Sequence, residues 1–370
     1  MPEMLQFCGK RFKVFKSAHK TCDPPNGMGS RSMQDAVHLE GVRCDGGSHG
    51  GCQARCLIFW KRAWLKEAGS AFPGPPAASG VRISPLRGDP VHSRSTANDQ
   101  PIWSGAYAPE SGAAGEDSVY VCQSTQLRTA TKAIRWWEIS QYVKDYASGN
   151  VTLGHLLGTF FIFLYRRLET SRLGFGSFLR WAYDGVQTWR GRAVYPWREG
   201  LIPVGLKTPR ASLDLRPGEL VRVKSYAEIV GTLDENSNNR GMYFDAEMVP
   251  YCGGTYRVLD RVNRIVNEKT GKLQILKNDC IILEDVVCKA CYVKTQKFCS
   301  RSIYPFWREI WLERAAEKAG SQGKPPGEGA VSSRRSTIAE DSPTSRPAVA
   351  IGHTKRISVA SGCRDMTANG

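Results

Sequence analysis

The clearest alternation of apolar and polar positions lies in the C-terminal third of the chain. GELVRVKS, 218–225, sets Leu220, Arg222 and Lys224 on one side and Val221 and Val223 on the other, the period of a half-buried strand. AEIVGTLDE then reads as a short helical turn and SNNRG as a loop. RVNRIVNEKTGKLQILKNDCIIL predicts two strands about a Thr270-Gly271 turn and a third after Asn278-Asp279, because glycine supplies the positive φ of a tight hairpin. Upstream the period changes. LRTATKAIRWWEISQYVKDYA, 127–147, lacks Gly and Pro and is closed by Ser148-Gly149, which predicts a helix with a glycine stop. VTLGHLLGTFFIFLY, 151–165, then runs into Arg166-Arg167. Such a run is shorter than the roughly 20 residues needed to cross a bilayer core. It predicts a buried helix, or one lying in a membrane interface with the arginines and Trp181, Trp189 and Trp197 at headgroup level.

Two stretches, 69–118 and 316–370, are dense in Gly, Pro, Ala and Ser and read as a flexible linker and a disordered tail. They divide the chain into a first Cys-rich β module (1–68), a helical basic segment (119–216) and a second β module with a C-terminal helix (217–315). Five or so short strands in the second module suggest a small barrel. Residues 217–290, opening on a Gly-Glu-x-Val-x-Val strand, resemble an SH3-like barrel of the KOW-type kind at the level of the fold. Barrels of that kind bind nucleic acids, peptides and proteins alike, so the resemblance implies an architecture and selects no function.

The chain also repeats itself. Met4, Cys8, Gly9 and Val14 return as Met248, Cys252, Gly253 and Val258, and Gly27 and Asp35 as Gly271 and Asp279. LEGVRC (39–44) returns as LEDVVC (283–288); after three extra residues Cys52 meets Cys299, and FWKRAWL (59–65) meets FWREIWL (306–312). A register kept across a turn glycine reads as internal duplication. The expected fold is therefore α+β: two related small SH3-like β-barrel modules with a helical middle segment. Trp60/Trp64 and Trp307/Trp311, four apart, are expected on one face of a helix packed on the core. The first copy lacks the strand at 218–225, so it is expected to borrow one, for instance 118–123, or to lean on the second copy.

Charge and cysteines supply the chemistry. The net charge is +16, and its excess sits in 4–66 (eleven Lys/Arg, four acids) and 124–216 (fourteen, six). A basic surface attracts polyanions, but no nucleic-acid motif accompanies it, so nucleic acid ranks behind a protein partner and behind membrane contact through 151–165. Lys10, Arg11, Lys13 and Lys16 interrupt any apolar leader, which implies a cytoplasmic address where clustered thiols bind metal. The expected ligands are Cys8, Cys44, His49, Cys52 and Cys56 in the first copy and Cys252, Cys288, Cys291 and Cys299 in the second, with zinc ahead of an iron–sulfur cluster. Cys22, Cys122 and Cys280 read as packing and Cys363 as exposed. Nucleophile-elbow, P-loop, dinucleotide and zincin motifs are absent. His19 and His38 stand where the second copy has Asn263 and Ile282, so an active site, if there were one, would lie in the first copy with His49 as ligand or base and Cys56 as thiolate. The reading is a metal-binding accessory or partner-binding protein; a metal- or iron–sulfur-dependent enzyme is the alternative.

Overall fold

The computed structural model describes residues 1–23, 29–68, 118–170, 176–189, 194–292 and 296–315, and the backbone of 356–359. Gly27, the linker from 69 to 117 and the remainder of the tail lie outside the described residues. In chain order the elements are β1 (Arg11–Ser17), β2 (Lys20–Cys22), β3 (Ser30–Ser32), β4 (Ala36–Arg43), β5 (Leu57–Lys61), β6 (Leu65–Glu67), α1 (Leu127–Ala130), β7 (Lys132–Ile134), α2 (Ile139–Ala147), α3 (Leu153–Glu169) and α4 (Gly176–Trp189). They continue with β8 (Leu220–Val223), α5 (Tyr226–Val230), β9 (Asn238–Asn239), β10 (Met242–Tyr243), β11 (Thr255–Val266), β12 (Leu273–Leu283), β13 (Leu312–Arg314) and β14 (Arg356–Val359).

This is a mixed α+β fold carried by two main sheets. One has the order β5-β4-β1-β14-β6 and the other β12-β11-β8-β13, and the fold includes a sheet curled into half a barrel. Their registers correspond. Val14 faces Leu39 and Lys16 faces His38 with a bulge between, and Val258 faces Leu283 and Asp260 faces Ile282 with the bulge at the same step. Cores correspond too: Met4, Val37, Leu39, Val42 and Trp60 fill one, and Met248, Ile281, Leu283, Val286 and Trp307 are among those that fill the other. The burial alternation along β8 follows the sequence pattern, with Val221 and Val223 fully buried. Ser225 and Glu228 close a capping box on α5, satisfying N–H groups its first turn leaves free.

Several expectations change. The strand missing from the first copy comes from 356–359, inside the stretch read as tail: β14 pairs with β1 (Arg11↔Ser358) and β6 (Val359↔Leu65), as β8 pairs with β11 (Thr255↔Arg222) and β13 (Leu312↔Val223). Residues 118–123 go elsewhere. Val119 bridges to Lys272, and Tyr120 N–H donates to Gly271 O at 2.8 Å, at the tip of the β11–β12 hairpin. Gly271 has φ +71°, and a Cβ there would lie 2.7 Å from Val119 Cγ1, so the turn needs glycine twice over. The two strands expected after that turn are one, β12, carried through a register shift. The helix expected over 127–147 is split, because Lys132–Ile134 pairs with β3 as the third strand of a small sheet. SNNRG is a hairpin, β9–β10. Trp60 is on β5 and Trp64 in a 3-10 turn, so the Trp-x-x-x-Trp pair is core without being helical.

Two of the helices, α2 and α3, are polar inward. α2 buries Gln141 and Asp145, and α3 buries Thr159 and Glu169. Asp145, fully buried, takes Lys20 and His19 as partners, the latter at 3.0 Å. Glu169 accepts from Tyr195 Oη at 2.7 Å and Arg180 Nε at 2.6 Å. Meanwhile Val143, Leu157, Phe161, Leu164, Trp181 and Trp189 face outward. Among the described residues no helix is long and apolar enough to cross a membrane.

His38 makes the first core sensitive to acid. It is fully buried, donates Nδ1–H to Ile58 O at 3.0 Å and has no partner at Nε2. Burial, against the backbone contact that favours its charge, pulls its pKa from 6.5 down to about 4. Between these values the unfolded chain binds a proton that the folded chain refuses, so stability falls as pH falls from about 6.5 to 4, by about 3 kcal/mol in full. His38→Ile, which installs the residue of the second copy, is expected to flatten that slope in denaturant titrations at pH 7 and pH 4.5. An unchanged slope would show that His38 does not set it.

Candidate metal centre

Four thiols from three segments line one cavity of about 40 Å³: Cys44 after β4, Cys52 and Cys56 in the loop before β5, and Cys122 on the segment that grips the β11–β12 tip. Two backbone contacts shape the loop. Cys44 N–H donates to Cys56 O at 2.9 Å, and Gly51 N–H to Gly46 O at 3.0 Å. Gly46 has φ +76°, and a Cβ on it would meet Cys52 O at 1.9 Å, so the loop closes around the thiols only with glycine there. Cys52 Sγ accepts from Val266 N–H at 3.2 Å, and Ser124 Oγ donates to Cys56 Sγ at 3.6 Å.

Burial raises the Cys44 thiol well above its ordinary value, with further contributions from the Glu3 carboxylate and Cys56. Burial likewise pushes Cys52 up to about 11, partly offset by the N–H groups of Val266 and Ala54, and raises Cys122. Without a cation these thiols keep their protons near neutrality. A soft divalent cation would displace those protons, because the thiolate is the ligand and metal binding releases protons.

Glu3 and His49 stand beside this set. Glu3, Cys44 and His49 form the one group of three donors, among the described residues, with ligand atoms all within 4.8 Å of one another. His49 Nδ1 lies 2.6 Å from Glu3 Oε1, close but out of line for a good hydrogen bond, and Glu3 Oε2 has no partner. Burial opposes the charge on Glu3, but the His49 contact and the Ser48 N–H outweigh it and hold the carboxyl below its usual range. Two tetrahedral ligands at about 2.0–2.2 Å from zinc sit about 3.3 Å apart. At 2.6 Å, then, the ring nitrogen and the carboxylate are an ion-pair contact too close for two ligands of one ion, and would have to separate before both could hold it. His49 also directs Nε2 to Val121 O at 3.2 Å and is 1% exposed, at the wall of the cavity.

The other expected ligands are distributed differently. Cys8 is disulfide-bonded and so contributes no thiolate. Cys252, its counterpart, lies against Met248 O at 4.0 Å and packs on the second core, away from the other thiols. Cys288 and Cys299 pack together with Cys22, and Cys291 Sγ lies 3.0 Å from His155 Nε2. Cys280 is core, as expected. Cys22, read as packing, is buried in the cluster with Cys288 and Cys299, and Cys122, read the same way, lines the cavity beside Cys44, Cys52 and Cys56. A cysteine 66 residues beyond Cys56 carries no ligand spacing; only the grip of Val119 and Tyr120 on the hairpin tip brings it in.

Gly46→Ala is expected to cost at least about 2 kcal/mol, through a left-handed alanine and a clash with Cys52 O, while Gly47→Ala, whose Cβ would meet nothing nearer than Asp45 Oδ1 at 3.4 Å, stays within about 0.5 kcal/mol. Chemical denaturation of the two variants measures the difference. No protein-family model, curated protein or solved structure matches this chain.

Proposed function

We propose that the chain is a zinc-binding accessory protein, made of two related small barrels of the SH3-like kind, that docks on a partner surface and does not turn over a substrate. The observation that carries this reading is the lining of one cavity by Cys44, Cys52, Cys56 and Cys122; no three of their Sγ atoms lie within 4.8 Å of one another, so binding would draw them together around the ion. Four thiols are the donor set of a structural zinc site, in which no position is left open for substrate. The small cavity suits a single ion better than a four-iron cluster, which brings its sulfides with it. The matched registers of the two sheets support the duplication. Purified full-length protein is expected to be colourless and to lose one equivalent of zinc in Cys122→Ser, but none in Cys280→Ser or Glu3→Gln. Loss of zinc in Glu3→Gln with retention in Cys122→Ser would assign the ion to Glu3, Cys44 and His49 instead, and a brown protein would replace zinc with an iron–sulfur cluster.

The partner surface we assign to the outward face of α2, α3 and α4 is an anionic membrane. Leu157, Phe161 and Leu164 follow one face of α3, and Phe178 and Trp181 one face of α4, all more than half exposed. On these helices Asp145, Glu169 and Asp184 are engaged by Lys20, Arg180 and Arg198, whereas Lys144 and Arg167 are exposed. An apolar stripe flanked by outward cations fits the headgroup boundary of an anionic bilayer. Binding to nucleic acid would use the cations and leave the apolar stripe in water. At 17 residues, α3 is about 25 Å long and lies along the surface without crossing it. Phe161→Asp with Trp181→Asp is expected to weaken co-sedimentation with phosphatidylglycerol vesicles at least tenfold. Absence of vesicle binding by the wild type would remove this partner, and a salt-dependent gel shift with single- or double-stranded DNA would favour nucleic acid.

A further inference from the structure

The correspondence between the two halves extends into their cysteine loops, and there it crosses over. Cys52 Sγ accepts from Val266 N–H of the second half at 3.2 Å; Cys299 Sγ accepts from Cys22 N–H of the first half at 3.1 Å. Gln53 N–H donates to Arg264 O at 3.1 Å, and Ser300 N–H to Lys20 O at 3.3 Å. In the repeat, Cys52 and Gln53 match Cys299 and Ser300, while Lys20 and Cys22 match Arg264 and Val266. Each cysteine loop thus docks on the other half's strand by the same pair of contacts.

The loops share one backbone. Cys288 N–H donates to Ile303 O at 2.8 Å as Cys44 does to Cys56 O, and Phe298 N–H to Ala290 O at 2.9 Å as Gly51 does to Gly46 O. Ala290, Phe298 and Ser302 are left-handed, at φ 52°, 60° and 43°, where the first loop has Gly46, Gly51 and Arg55 in the same region. An L-residue there costs of order 1–2 kcal/mol, and such strain persists where the surroundings demand the geometry.

In the second loop Cys288 and Cys299 hold the places of Cys44 and Cys52, Ile303 replaces Cys56, and nothing answers Cys122. Two other thiols make up the number. Cys22 stands where the second half has Val266, a residue that lines the first cavity, and it is buried against Cys299 and Ala290 with Cys288 alongside. Cys291 follows Cys288 in a Cys-x2-Cys step; no three of the four Sγ atoms lie within 4.8 Å of one another, so an ion would have to draw Cys291 and its neighbours together. Charges of both signs face the group: Lys16 interacts with Cys299, Cys288 and Cys291 and the Arg301 guanidinium with Cys22 and Cys299, while the Glu247 carboxylate stands near Cys288 and Cys291; the Arg301 backbone N–H also donates to Cys299 Sγ at 3.5 Å. A four-thiolate zinc site is a dianion and needs cationic neighbours.

We propose that Cys22, Cys288, Cys291 and Cys299 form a second centre for one tetrahedral thiophilic cation of the zinc class, with its ligands drawn from both halves. His155, whose Nε2 lies 3.0 Å from Cys291 Sγ, orients that sulfur from outside the ligand set and ties the start of α3 to the centre. The centre uses the same chemistry as the first and is independent of its occupancy.

Cobalt(II) titration and metal analysis of the full-length chain test it, with Cys22→Val chosen because valine is the residue at the matching position of the other half. The wild type is expected to take up two equivalents, Cys22→Val one and Cys22→Val/Cys122→Ser none, the thiolate-to-cobalt absorption halving at each step. His155→Ala is expected to keep both equivalents. The cobalt spectrum remaining in Cys22→Val reports an intact first centre, which separates loss of a ligand from failure to fold. Two equivalents in Cys22→Val, or one in Cys252→Ser, would overturn the proposal. A wild type with a single equivalent that Cys122→Ser removes would also overturn it while leaving the first centre standing; a single equivalent that Cys22→Val removes would do the reverse.

Discussion

The crossed docking of the two cysteine loops is the contact on which the other features depend. A loop with several left-handed residues has few backbone partners of its own, and its buried N–H and C=O groups must be satisfied from outside. Here each loop finds them on the opposite half, through the Cys52–Val266 and Cys299–Cys22 contacts and the Gln53–Arg264 and Ser300–Lys20 pairs that flank them. Salt links reinforce the seam, Arg55 to Asp260 at 2.8 Å among them, and the Arg43 guanidinium covers the Tyr304 ring at 4.2 Å. Neither thiol cluster is complete within its own stretch of repeated sequence. The halves are therefore interdependent at the loops, whereas the first sheet is completed by 356–359 and takes no strand from the second half.

A second constraint orients the helices. Asp145 and Glu169 are carboxylates held in the interior by Lys20, His19, Tyr195 and Arg180. Breaking a buried pair by removing one partner costs about 3–5 kcal/mol, more than an exposed leucine loses by facing water. Polar contacts thus decide which side of α2 and α3 turns inward, and the apolar side is left outside. The same orientation sets His155 beside Cys291, 3.0 Å from its sulfur.

Much of the β architecture was legible in the sequence because it rests on local periodicity. The alternation of β8, the Thr270-Gly271 turn and the α5 turn all appear where patterning places them. Repeated residues at a constant spacing likewise anticipated the paired registers and the paired cores. The local signal failed where a distant partner outbid it. Lys132–Ile134 leaves a good helical sequence to complete a sheet with β3, and 356–359 leaves a segment with a tail's composition to fill the slot between β1 and β6. Trp60 and Trp64 have helical spacing, yet the pairing of β5 with β4 through Val37↔Trp60 makes the first of them a strand residue.

The candidate sites divide along the same line. Sequence by itself determined which loops carry thiols, that glycines 46 and 51 would let one of them close, and that Cys44, Cys52, Cys288 and Cys299 belong to a repeated plan. Tertiary structure alone decided which thiols become neighbours. It removed Cys8 into a disulfide, left Cys252 in the core, and brought in Cys122 and Cys22, which no spacing connects to the rest. The physical reason is that a metal site needs donors within a few ångströms in space and places no condition on their separation along the chain. Spacing can disclose ligands on one turn or one loop, whereas a ligand delivered by strand pairing or by the docking of two halves is recorded only in the packing.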